Sequence, residues 1–360
     1  MEYEIDFLPV GEASKGGDAI CFRFWSDSVP QFVGVIDGGT RSSGKALVEH
    51  VQKYYGTKRV DMVLATHPHT DHVSGLVDVL EGLDVQLLMM HLPWKHGENI
   101  RHLFQDGRVT GKGINDRVQK AMQQAHDLFK MAERLGIPVV EPYAGGWSPS
   151  PHIRFIGPTL DFYRQLLLEY TSTPAYSVSA TIIEGLKAAG EKMLNWVAEH
   201  WENESLIDPI EGTNAENNSS TITLLEFGDK RLLFTGDAGV PALEHACDNA
   251  GQLGIPLQQF SFVQIPHHGS KRNVGPTILD RLLGSKDSQA EGRYSAIVSV
   301  PVQGEPKHPS RKVTNAFKRR GAKVIATKGT SKYHHSPGTP ARADWTTVEP
   351  LPFYTEVEDD

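Results

Sequence analysis

Six consecutive residues constrain this chain more than any other feature: His67-Pro68-His69-Thr70-Asp71-His72, placed after the apolar run Met62 to Ala65 and before Ser74-Gly75. A strand sends alternate side chains to one face. His67 and His69 can therefore converge on one ion, while the turn that follows aims Asp71 and His72 at a second. Imidazole and carboxylate suit zinc, manganese or iron. A structural zinc site draws mainly on thiolates, and neither Cys21 nor Cys247 lies near the run. The pattern points to metal-dependent hydrolysis.

The rest of the chain allows it. At 360 residues, 39% hydrophobic and 22% charged, it can bury a sizeable core. No run approaches the ~18 uninterrupted apolar residues of a membrane span, and no basic-then-apolar leader is present. Two cysteines, one in a predicted strand and one in a predicted helix, do not suggest a disulfide framework. The expectation is a soluble cytoplasmic protein with no membrane span.

Short apolar runs at Ile5 to Val10, Ile20 to Trp25, Phe32 to Ile36, Met62 to Ala65 and Val85 to Met90 predict strands, with a helix over Ala46 to Tyr55. A second series follows: a hairpin of Ile222 to Phe227 and Arg231 to Phe234 around Gly228-Asp229, a helix over Val240 to Asn249, and strands at Phe262 to Ile265, Ala296 to Val300 and Val324 to Ala326. Between them, Val118, Met122, Ala125, Phe129 and Ala132 recur at helical spacing, predicting one helix over Asn115 to Leu135 that Gly136-Ile137-Pro138 stops. Two further helical patterns, with Leu166, Tyr170, Leu194, Trp196 and Trp201, fall between Leu160 and Trp201. Their apolar residues can cap a site mouth or make a homo-oligomer contact.

At the histidine run the chain resembles the metallo-β-lactamase superfamily, whose second motif is His-x-His-x-Asp-His. Ile5 to Gly39, with Val10-Gly11, Gly17-Asp18-Ala19-Ile20 and Ile36-Asp37-Gly38-Gly39, is similar to the opening of the soluble hydrolase domain of ComEC-type competence proteins. Asn217-Asn218-Ser219-Ser220, Leu232-Leu233-Phe234-Thr235-Gly236-Asp237, Ile265-Pro266-His267-His268-Gly269-Ser270 and Lys307-His308-Pro309-Ser310 continue the resemblance in the same order. It implies an α/β fold, the four-layer αββα sandwich, as a single domain over 1–360 with a helical insert at 95–216.

The resemblance also implies two divalent ions, Zn or Mn. His67 and His69 would serve the first, Asp71, His72 and His267 the second, and Asp237 would bridge. Of the histidine pair, His267 is taken as the ligand because it sits nearest the strand, leaving His268 for a substrate oxygen. Asp37 would steady the ligand loop. The wider superfamily supplies a third histidine just before the strand that here begins near Thr221, where this chain has Asn217 to Ser220. The first site should therefore be weaker, with His152, His200 or water open as its completion.

A metal-bound hydroxide, oriented by Asp71 and Asp237, would be the nucleophile. His268, Ser270, Lys271 and His308 would contact the substrate. The reading is a phosphodiesterase or nuclease acting on a phosphodiester, with nucleic acid as one candidate substrate. An acyl hydrolase and a non-catalytic metal-binding partner protein are the alternatives. Net charge is −8, against non-specific coating of nucleic acid. Yet Lys307, Arg311, Lys312, Lys318, Arg319, Arg320, Lys323, Lys328 and Lys332 cluster near the C-terminus, as either a solvated face or a cationic rim beside the metals.

Overall fold

The computed structural model describes residues 1–11, 16–104, 109–170, 196–287, 292–304 and 308–359. Two sheets dominate. In the first, strands run in the order Lys332–His335, Glu2–Phe7, Ala19–Ser26, Val29–Gly38, Met62–Leu64, Leu88–Met89 and Val139–Val140, antiparallel as far as Val29–Gly38 and parallel from there on. In the second the order is Ala322–Ala326, Tyr294–Val298, Phe262–Gln264, Lys230–Phe234, Ile222–Phe227 and Ile153–Gly157. Here the first four are parallel and the last two antiparallel.

Period-two alternation explains the layering. Ile20, Phe22 and Phe24 point to one side of their strand and join Phe7, Phe227, Phe234 and Phe262 in an aromatic core between the sheets. Ala19, Cys21, Val33 and Val35 point the other way, into a second core under the helices Arg41–His50, Leu76–Gly82 and Gln123–Leu135. On the outer face of the other sheet, Val240–Gln252, Pro276–Leu283 and Arg311–Arg319 cover a third. The architecture is the αββα sandwich. Cys21 and Cys247 are buried free thiols. Among the described residues no helix is long and apolar enough to cross a membrane.

The interval 95–216 differs from a purely helical insert. It supplies an edge strand to each sheet, Val139–Val140 and Ile153–Gly157. The predicted helix Asn115 to Leu135 is two, Gly111–Ala121 and Gln123–Leu135, broken where Met122 leaves the helical region at φ −109°, ψ 41°. Leu160–Glu169 is helical, but Trp196 lies in a strand, Trp196–Ala198, paired with Glu356–Glu358. Leu194 and the rest of 171–195 fall outside the described residues.

The basic C-terminal cluster is neither a rim nor a solvated face at its centre. Arg319 and Arg320 are fully buried. Arg319 donates to the carbonyls of Trp201 (2.9 Å), His200 (2.6 Å) and Asn203 (3.1 Å) and pairs with Glu199. Arg320 bonds Glu204 and Asp280, each at 2.8 Å. Lys312 and Lys318 are also buried, and Lys318 donates to the Leu351 carbonyl of the returning C-terminal segment at 3.0 Å. Lys307 lies outside the described residues.

Candidate metal centre

Parallel strands deliver their following loops to one edge of a sheet, and both sheets do so at the same end. Val29–Gly38 ends in Asp37, Met62–Leu64 leads to His67, Lys230–Phe234 to Asp237, and Phe262–Gln264 to His267 and His268. Among the described residues, five non-glycine residues have left-handed φ, and three of them are Asp37 (55°), His267 (46°) and His268 (56°). Backbone strain is concentrated where the ligands are presented.

Asp37 orders two of them. Its Oδ1 accepts from the Thr66 amide at 2.8 Å and its Oδ2 from the Thr66 hydroxyl at 2.6 Å. With its proton so committed, Thr66 Oγ1 accepts from His67 Nδ1 at 3.0 Å. His72 Nδ1 lies 2.7 Å from Asp37 Oδ2 and donates to it. Both rings are thereby held with Nε2 turned inward. His69 opens the short helix Thr70–Val73, so Asp71 and His72 lie in its single turn.

The inward atoms converge. Asp237 Oδ2 is 3.6 Å from His67 Nε2, 3.5 Å from His72 Nε2 and 3.6 Å from His267 Nε2, and His67 Nε2 faces His69 Nδ1 at 3.2 Å. The donor atoms of His67, His69 and Asp237 lie within 4.8 Å of one another, as do those of Asp71, His72 and His268, and those of Asp18, His72 and Asp237.

The histidine pair departs from the expectation in its order. It is His268 that groups with Asp71 and His72, while His267 reaches Asp237. Left-handed φ at both residues reverses the backbone inside the tight turn His267–Gly269, so nearness to the strand does not decide which ring faces Asp71. His268 Nδ1 donates to the Ser299 carbonyl at 2.9 Å, and His267 Nδ1 to Asn273 Oδ1 at 2.8 Å. The His308 ring centroid is 6.4 Å from both. Ser270 and Lys271 continue from that turn, and Ser270 Oγ accepts from the Arg272 amide at 3.3 Å.

Asn217 to Ser220 brace the centre. Asn217 Nδ2 sits 3.3 Å from His267 Nδ1, Asn218 Oδ1 accepts from the Gly239 amide at 3.1 Å, and Ser220 Oγ from the Asp237 amide at 3.1 Å. His152 is held at the far end of the strand Ile222–Phe227, 3.1 Å from the Glu226 carbonyl. His200 belongs to the Arg319 cluster.

Several buried polar atoms are left over. His72 Nε2, His268 Nε2, Asp237 Oδ1 and Asp18 Oδ1 have no hydrogen-bond partner. Unsatisfied buried donors and acceptors are costly, and cations held among them would satisfy all four. The charge states of His67 and His69 agree, whereas His72 would give up a proton to an incoming ion. Burial and the neighbouring His72 hold His67 and His69 below the usual imidazole range, leaving them neutral and ready as ligands. Burial would lower His72 too, but the Asp237 and Asp37 carboxylates raise it well above its ordinary value. Burial works upward on Asp237, yet His72 and His267 hold it well below. For Asp18 burial outweighs the pull of His72 and His268, with the Asp237 and Asp37 carboxylates adding to it, and its carboxyl is pushed up to about 6. The residues fit divalent ions.

In the sequence Asp18 stands only within the opening motif Gly17-Asp18-Ala19-Ile20. Its one signal is an acidic residue wedged between Gly16-Gly17 and an apolar strand. Gln264 and Asn273, which anchor the loops, carry no sequence signal at all.

Openings lie beside His69, beside Lys271-Arg272 and at His308. A cavity of about 410 Å³ beside His69 reaches Met122, Gln123, Gln124 and Glu216. One of about 510 Å³ lies between Ile207, Ile210, Lys271, Arg272 and Lys312. The smallest, about 190 Å³, holds His308, Gln303 and Lys328.

The family model described as Metallo-beta-lactamase superfamily matches residues 32–282. Over 129 residues the chain is 27% identical to the uncharacterized protein YcaI of Escherichia coli (strain K12), which covers 36% of this chain and only 14% of that protein's length. Among solved structures, Igni18, a metallo hydrolase of Ignicoccus hospitalis, is 12% identical with a TM-score of 0.42, covering 92% of this chain and 98% of its own. A diphosphatase from the PhnP family is 12% identical, TM-score 0.38, covering 93% and 98%. A long form RNase Z from yeast is 9% identical, TM-score 0.41, covering 92% and 42%.

Proposed function

Because the chain belongs to the metallo-beta-lactamase superfamily, we propose that it is a dinuclear-metal phosphodiesterase of the ComEC-like branch, one such domain over 1–360. His67, His69 and His267 would hold one ion, Asp71, His72 and His268 the other, with Asp237 shared. The observation that carries this reading is the convergence of three imidazoles on one oxygen, Asp237 Oδ2, at 3.5–3.6 Å. A carboxylate so placed can touch two cations at once. Divalent ions bound there would neutralise phosphate oxygens and supply a strong nucleophile from water at neutral pH.

The protein's own groups do the rest. Asp71 and the second oxygen of Asp237 accept hydrogen bonds from the attacking water and fix its direction. Ser270 Oγ donates to a non-bridging phosphate oxygen, and His308 holds the proton that the leaving oxygen takes up. Lys271 and Arg272 follow the histidine turn and favour an anionic substrate. With Arg319 and Arg320 buried in ion pairs, the cationic surface is short, which supports small phosphodiesters over long nucleic acids.

Protein reloaded with manganese or zinc should hydrolyse bis-p-nitrophenyl phosphate, and Asp71→Asn should abolish it. Turnover of thioester or lactam substrates with none on the phosphodiester would replace this reading with acyl hydrolysis.

A further inference from the structure

We propose that Asp18 is an additional ligand of the metal centre, giving the half built on Asp71 and His72 a carboxylate-rich donor set that prefers manganese to zinc. The inference rests on the dinuclear reading above.

Asp18 is 2% exposed and stands at the entrance to the strand Ala19–Ser26. Its Oδ2 accepts from Gln264 Nε2 at 2.9 Å. That amide cannot turn, because Gln264 Oε1 accepts from the Thr235 amide at 3.0 Å and the Gly236 amide at 3.1 Å. Asp18 Oδ1 is left without a partner, and its carboxylate lies within 4.8 Å of the donor atoms of His72 and Asp237. One neutral amide is poor compensation for a buried carboxylate facing a second one. Among the described residues Asp18 makes no ion pair with Lys or Arg. His72 Nδ1 is already committed to Asp37. The missing partner is a cation between Asp18, His72 and Asp237.

Two glycines show that the placement is built in. A Cβ on Gly17 would fall 2.1 Å from the Asp71 carbonyl oxygen, and one on Gly16 would fall 3.3 Å from the His268 ring. Bare backbone at 16 and 17 lets the loop lie directly on two residues of the proposed ion's own donor set, and Asp18 follows at once. Three carboxylates, from Asp18, Asp71 and Asp237, with two imidazoles, from His72 and His268, make a harder set than zinc usually takes.

The test is metal binding by the full chain. Metal-free protein is titrated with Mn(II), free ion is followed by electron paramagnetic resonance, and bound metal is counted by elemental analysis. Asp18→Asn keeps the size and the bond from Gln264. Relative to the parent it should lose at least about tenfold in affinity for one of two ions, leave the other unchanged, and shift Mn/Zn competition toward zinc. Asp18→Ser, the second variant, should do the same. Two ions bound with parental affinities by both variants would overturn the inference while leaving the dinuclear centre intact. A parent that never takes a second ion would overturn the dinuclear reading, and this inference with it.

Discussion

His72 Nδ1 sits 2.7 Å from Asp37 Oδ2, and the same carboxylate reaches His67 through the Thr66 hydroxyl. One aspartate that touches no substrate thus sets the tautomer and direction of two proposed ligands. Asp37→Asn tolerates the left-handed backbone but cannot accept equally from both. It should weaken metal binding by about 10–100-fold with the far-ultraviolet circular dichroism unchanged. Parental affinity in a chelator competition would show that the rings are held by packing alone.

The two ions of the proposed centre should leave at different rates. His267 is 29% exposed on its side chain, whereas His72 is fully buried, so the half built on His67, His69 and His267 opens more readily to a chelator. Elemental analysis during graded chelation should show one ion per chain lost first. Histidine nuclear magnetic resonance should trace that loss to His69 and not to His268. Loss of both together would contradict the asymmetry.

Acid stability should depend on Glu141. Burial would raise its pKa, but the His96 ring at 3.0 Å, with the Leu92 amide at 2.8 Å, holds it at about 2. A carboxylate with a depressed folded pKa stabilises fully above its ordinary value and loses that contribution as pH falls toward the folded one. Between about pH 4.5 and 2 the parent should therefore lose up to roughly 3 kcal/mol on this account, and Glu141→Gln should lose that much less over the same interval. Urea melts at several pH values measure it. Parallel curves for the two proteins would remove Glu141 as the cause.

Arg319→Met should behave as a core mutation. It leaves Glu199 buried and unpaired and frees three carbonyls, a loss of about 3–5 kcal/mol. Lys323→Glu, on an exposed residue, should change stability by less than about 0.5 kcal/mol. Thermal melts distinguish the two. Similar melts for both would mean that the Arg319 cluster contributes nothing to the fold.

Much of the sandwich is legible in the sequence because its strands are short apolar runs bounded by turns, and the metal-type residues stand together in one six-residue motif. What escapes is set by contacts distant in sequence. Arg319 and Arg320 look like surface residues until Glu199 to Glu204 and the C-terminal segment are laid over their helix. The order of His267 and His268 depends on two successive left-handed residues, which hydrophobic periodicity does not reveal. Asp18 has meaning only once Gly16 and Gly17 are seen against His268 and Asp71. The break at Met122 interrupts an unbroken apolar stripe, so periodicity alone runs straight through it.

The donors to Asp237 come from both sheets: His67 and His72 follow strands of one, His267 a strand of the other. The centre is therefore also a rivet. It cannot assemble until the two halves of the chain have met face to face, so capture of an ion there during refolding would be a clock for that encounter, and a loaded molecule pulled apart would have to break the rivet before the sheets could separate.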